Sequence, residues 1–182
     1  MNLSMDVFLI ITLSLTLIVA AVNDIRVQRI PNLVTYPSMA VAIGCHTMEN
    51  GLEGFLFSVG GLAVGIGVFV VPYLMGGMGA GDAKLMGASG AIIGSKGVLI
   101  AILFTALVGG VYALILLLIK RQYLKRFINN LITPKTLVST GQFIPIPETK
   151  DEDRPKLCYG VAIALGTALY IFFELSGHMC LA

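Results

Sequence analysis

Residues 54–75 and 97–119 run for 22 and 23 positions without a charged side chain. About 20 apolar residues in a helix cover the ~30 Å hydrocarbon core of a bilayer, and a water-soluble fold has no equivalent use for such runs. Only 12% of the chain is charged, against about 25% in an ordinary soluble domain, and the mean hydropathy is +0.90. The chain is therefore expected to be an all-α polytopic integral membrane protein.

Four further segments complete the layout. Residues 8–22 and 33–48 are candidate spans, as are residues 157–173 near the end of the chain. Residues 85–95 are apolar but number only eleven, so this fourth segment is short, tilted or re-entrant. Irregular backbone at that depth is tolerated where it is buried in protein or lines a wet cavity. The first apolar run has no Lys or Arg before it and Arg26 and Arg29 after it, the reverse of a cleavable signal peptide. Six spans with both termini outside place eleven of the twelve Lys and Arg residues on the cytoplasmic side and leave Lys96 outside, in keeping with the positive-inside rule.

The one sizeable polar segment is the cytoplasmic loop 120–156. Its first part sets Tyr123, Leu124, Phe127, Ile128, Leu131 and Ile132 on one helical side and Lys120, Arg121, Lys125 and Arg126 around the other. That pattern suits a helix lying on an anionic lipid surface. The remainder, with Pro145, Pro147 and a run of mixed charge, is expected to be a solvated connector. The chain is expected to form a single membrane-embedded domain over 1–182. Cys45, Cys158 and Cys180 are far apart and give no metal or disulfide motif. No cofactor and no nucleic-acid partner is indicated.

Two acids stand out at the expected cytoplasmic face. An ionisable group at membrane depth costs about 2.5–3.5 kcal/mol on insertion scales, so its presence needs a reason. Asp24 ends the first span. Asp82 closes the glycine-rich turn Gly76-Gly77-Met78-Gly79-Ala80-Gly81-Asp82, where a helix starting near Gly81 would set its carboxylate at the positive end of the dipole. Gly79 and Gly81 leave room for another backbone beside that acid. Lys84, two residues on, does not share a helical face with Asp82 and is expected to reach towards the interface. Pro31-Asn32 is expected to form the turn into the second helix. Two neighbouring carboxylates do not ionise together easily, so one can hold a proton while the other acts as a base on an attacking water. A different use of the same acids, binding a proton or cation in a small carrier, would favour sites nearer the bilayer midplane.

The segments Asp24-x-Arg26-x-x-Arg29-Ile30-Pro31-Asn32-x-x-Thr35 and Gly79-Ala80-Gly81-Asp82-Ala83-Lys84-Leu85-Met86-Gly87 resemble those of the type IV prepilin peptidases, which are Gly-x-Gly-Asp membrane aspartic proteases. The resemblance implies catalytic roles for Asp24 and Asp82. It implies substrate-binding or site-shaping roles for Gly79, Gly81, Lys84, Arg26 and Asn32. The expected activity is removal of the N-terminal leader from prepilins or pseudopilins at the cytoplasmic face of the bacterial inner membrane. Larger members carry a cysteine-paired domain and methylate the new N-terminus. This chain has no such insertion before its second span and no Cys-x-x-Cys pair, so it is similar to the short, peptidase-only forms of tight-adherence pilus systems. Where those forms often have Pro-Tyr-Gly before the last helix, this chain has Cys158-Tyr159-Gly160.

Overall fold

Four helices form the described part of the chain: α1 (Leu3–Val27), α2 (Asn32–Leu74), α3 (Ala80–Ile119) and α4 (Tyr159–Leu175). They come from a computed structural model that describes residues 3–75, 77–119 and 159–177. The expected membrane-lying helix and connector of 120–156 lie outside the described residues, as do Cys158, His178 and Cys180. Met5–Val27, Asn32–Leu74 and Ala80–Ile115 are long and apolar enough to cross a membrane, and Tyr159–Leu175 is a shorter apolar helix. The chain divides into two units, Met1–Gly109 with Cys158–Ala182, and Gly110–Leu157. Of the second unit, the described part is helical up to Ile119. The packing below belongs to the first.

The side chains of α1 sort by helical period. Leu9, Leu13, Thr16, Leu17, Ala20 and Asp24 are buried, whereas Phe8, Ile11, Leu15, Ile18, Val22 and Ile25 are exposed. The outer face is as apolar as the inner one, which suits a helix whose solvent is lipid. The helix outlasts the apolar run 8–22 by about a turn and carries Asp24 inward on the same stripe. It stops at Gln28, whose φ of 54° is left-handed and whose N–H still reaches the Asp24 carbonyl at 3.0 Å. An L side chain pays for that conformation and glycine does not. Gln28→Gly is expected to stabilise the protein by ~1 kcal/mol, read as a rise of about 2–4 °C in its thermal midpoint.

If straight, the 43 residues of α2 would extend about 65 Å, twice the hydrocarbon thickness. Instead the helix breaks at Gly51 (φ 57°, ψ −129°). Beyond the break Gly54 packs on the His46 carbonyl, and the rings of His46 and Phe57 meet edge to face at 5.0 Å. Eight residues of continuous helix would hold Gly54 about 12 Å from His46, so the chain reverses here. α3 behaves alike: at Gly94 (φ 76°, ψ 177°) it turns back, and Val98 comes to lie against Gly90. Each long helix therefore consists of two arms. The short apolar segment expected at 85–95 is the first arm of α3, and it begins earlier, at Ala80, because the glycine turn supplies its cap.

This short arm is the centre of the bundle, with every residue from 85 to 92 buried. The second arm of α2 runs antiparallel to it at very close range. Gly61 faces the Gly90 backbone, Gly65 faces the Met86 carbonyl, and Ile66 covers Gly87. The break at Gly94 deprives the last carbonyls of the short arm of their helical partners, and side chains replace them. Ser58 Oγ donates to the Ala91 carbonyl at 2.7 Å, and His46 Nε2 donates to the Ile92 carbonyl at 3.1 Å. His46 thus caps the end of the short arm. The second arm of α3 runs antiparallel to α4, with Gly97 at the Tyr170 hydroxyl, Gly166 at Thr105, and Phe104 stacked on Phe173 at 5.7 Å.

These pairings define two ends. One gathers the breaks at Gly51 and Gly94, His46 and Tyr170. The other gathers the end of α1 and the starts of α2, α3 and α4, and it holds both acids.

Candidate active site

Asp24 and Asp82 occupy opposite kinds of helix terminus. Asp24 sits in the last turn of α1 and is only 6% exposed. Its Oδ2 accepts the Gly160 N–H at 2.8 Å, and its carboxylate also takes the Val161 N–H. The first N–H groups of a helix have no partner within it, so Asp24 caps α4 from another helix. An ideal Cβ on Gly160 would stand 2.9 Å from Asp24 Oδ2, and glycine is what permits the approach.

Asp82 lies in the first turn of α3 and is 8% exposed. Its Oδ2 accepts the Gly79 N–H at 3.0 Å, and its own N–H donates to the Gly79 carbonyl at 3.1 Å. This is the returning half of a capping box, with the third helical residue reaching back to the residue before the helix. The glycine turn therefore fixes the carboxylate through its backbone. Gly81 presents its bare Cα to Ile30, whose Cβ would lie 3.0 Å from a Cβ placed there. Asp24 is close enough for its charge to act on Asp82, and Tyr159 lies within the field of Asp82.

The other expected residues divide. Asn32, at the start of α2, accepts a hydrogen bond from Lys84 Nζ at 3.0 Å, and the ammonium also stands 5.1 Å from the centre of the Tyr36 ring. Lys84 thus turns sideways onto α2, where the sequence pointed to an interfacial reach. Arg26 is exposed near the end of α1. The sequence marked Gly160 within Cys158-Tyr159-Gly160 but gave it no role at the site, and Val161 was passed over. The signals available were that motif and a glycine opening an apolar helix, and neither tied Gly160 to Asp24, 136 positions earlier.

Among the described residues no group of three or more His, Cys, Asp or Glu side chains could hold a metal ion. What the site offers is a pair of withdrawn carboxylates edged by glycine backbone, a set of groups suited to moving protons.

An all-helical membrane fold with two acids converging at one end defines a narrow class of protein. The chain belongs to the type IV leader peptidase family, whose model matches residues 11–114. It is similar to the prepilin leader peptidase/N-methyltransferase of Bacillus subtilis (strain 168), at 28% identity over 114 residues. That match takes in 61% of this chain and 45% of the relative, so the chain matches less than half of the relative's length. No solved structure matches the chain.

Proposed function

We propose that this protein is a membrane aspartic endopeptidase that removes the N-terminal leader of type IV prepilins or pseudopilins at the cytoplasmic face of the bacterial inner membrane. The observation that carries the reading is the convergence of Asp24 and Asp82, both withdrawn from solvent, at one end of a family member's helical bundle. The ionised acid takes a proton from water as it attacks the scissile carbonyl. The protonated acid polarises that carbonyl and then helps protonate the departing amine. The assignment of base and acid belongs to the pair.

The proposal includes one membrane-embedded domain crossing six times, with both termini outside and the loop 120–156 in the cytoplasm. The reversals at Gly51 and Gly94 and the opposite placement of Lys84 and Lys96 about the second of them support it. It also leaves out N-methylation, although the relative's name joins both activities. Only residues 28–31 separate α1 from α2, and no Cys-x-x-Cys pair occurs in the chain. The carrier reading draws no support from acids gathered at one end of the bundle.

The test is co-expression with a candidate prepilin from the same genome, followed by mass measurement of the pilin. Loss of the leader mass, without a methyl increment, is the expected result. Cleavage with methylation would remove the restriction to peptidase activity. An uncut panel of prepilins, together with proton- or cation-coupled uptake, would overturn the reading in favour of the carrier.

A further inference from the structure

From residue 85 to 92 the short arm of α3 is enclosed, and just before this stretch the half-buried Lys84 carries a long side chain out of the bundle interior. That side chain is engaged twice. Its Nζ donates to Asn32 Oδ1 at 3.0 Å and lies over the Tyr36 ring at 5.1 Å. Asn32 and Tyr36 are four residues apart on α2, hence on one face, and together they form a cradle of an oxygen acceptor and an aromatic surface. One turn earlier, Ile30 packs on the bare Cα of Gly81. Residues 30–36 are thus held along residues 81–84 at two points.

The location gives these contacts their consequence. α3 is entered through Gly77, Gly79 and Gly81, a lead-in of high backbone freedom in which Met78 is the one side chain packed against the core. Asp82 is bonded to Gly79 within that same lead-in, so this bond cannot anchor the turn to the rest of the bundle. Lys84 can, because its partners lie on another helix. α2 in turn is joined to Asp24 by a short connection through Gln28 and Pro31. Lys84 points about 200° round the helix from Asp82, which removes it from the reacting atoms and leaves it able to fix the rotation of the turn.

We propose that Lys84, latched between Asn32 and Tyr36, is a positioning residue that fixes the first turn of α3 and so sets Asp82 against Asp24. The proposal rests on the peptidase reading for its kinetic consequence and on the latch geometry alone for its structural one. The two are tested separately on the full chain in lipid nanodiscs.

Lys84→Met keeps the stem and removes the charge and donors. Lys84→Arg keeps a donor for Asn32 and a cation for the ring. With a cleavable prepilin, Lys84→Met is expected to lower kcat at least tenfold while KM stays within twofold, and Lys84→Arg to recover at least a third of the parental kcat. Tyr36→Leu, added to Lys84→Met, is expected to cost less than it does alone. Without any substrate, amide hydrogen exchange over 79–85 is expected to be at least tenfold faster in Lys84→Met and restored in Lys84→Arg, with the start of α4 unchanged. A parental kcat in Lys84→Met would overturn the proposal. So would a raised KM at constant kcat, which would make Lys84 a substrate contact, or unchanged exchange over 79–85. Failure of the parent to cut any prepilin would count against the peptidase reading, and the exchange measurement would still decide the latch.

Discussion

Cleavage of a co-expressed prepilin is expected to fall by more than about a thousandfold in Asp82→Asn and in Asp24→Asn, with both variants present in the membrane at parental levels. A positioned general acid or base contributes roughly 10²–10⁴ in rate, and in the proposed mechanism each acid works through the other, so losing either disables the pair. Asparagine is the informative replacement because it keeps an oxygen acceptor. In Asp24→Asn that oxygen can still receive the Gly160 N–H, and in Asp82→Asn the Gly79 N–H. The fold should therefore survive while the proton chemistry does not. Asp24→Ala would strip the start of α4 of its cap as well, a loss of about 1–3 kcal/mol for a charge-assisted bond, and should show a lowered thermal midpoint in addition to inactivity. Cleavage near the parental rate in either asparagine variant would remove that residue from the mechanism.

The second large effect concerns stability. Gly61→Leu is expected to cost at least about 3 kcal/mol and to lower the thermal midpoint by roughly 6–12 °C. A Cβ at Gly61 would fall on the Gly90 carbonyl of the central arm, and a helix backbone on the bundle axis has nowhere to move. Gly60 and Gly67 provide the contrast. A Cβ at either meets nothing within 4 Å, so Gly60→Leu and Gly67→Leu should be tolerated, their side chains entering lipid. Thermal unfolding of the three variants in one detergent checks the claim, and equal behaviour would show that the two arms do not pack as closely as described.

The comparison of these glycines shows how far the sequence could be read. Gly60, Gly61, Gly65 and Gly67 share one apolar run, where small residues let helices approach closely, but composition alone does not separate the two that face α3 from the two that do not. The acids were legible because a charge within an apolar chain is conspicuous wherever it folds. Their partners were not, because the N–H of Gly160 carries no signature of its own and the Lys84–Asn32 bond joins residues 52 positions apart. The breaks at Gly51 and Gly94 are half visible in the sequence, since the charged Glu49 and Glu53 flank the first and Lys96 closely follows the second. The caps supplied by Ser58 and His46 follow only once the reversal at Gly94 is known, since it is the reversal that leaves the Ala91 and Ile92 carbonyls unpaired.

The short arm has a last consequence. Fourteen residues, from Ala80 to Ile93, rise about 21 Å, less than the hydrocarbon thickness, and Asp82 stands in the first of its turns. Asp24 lies one turn from the end of α1, at the same end of the bundle and close enough for its charge to act on Asp82. On the peptidase reading, an acid pair set this way works at one depth, close to where lipid gives way to water. A substrate anchored in the same bilayer by its own apolar helix is then presented at a fixed height. On the peptidase reading, the bilayer surface serves as the ruler that selects the bond, and the residues around that bond have correspondingly less to specify.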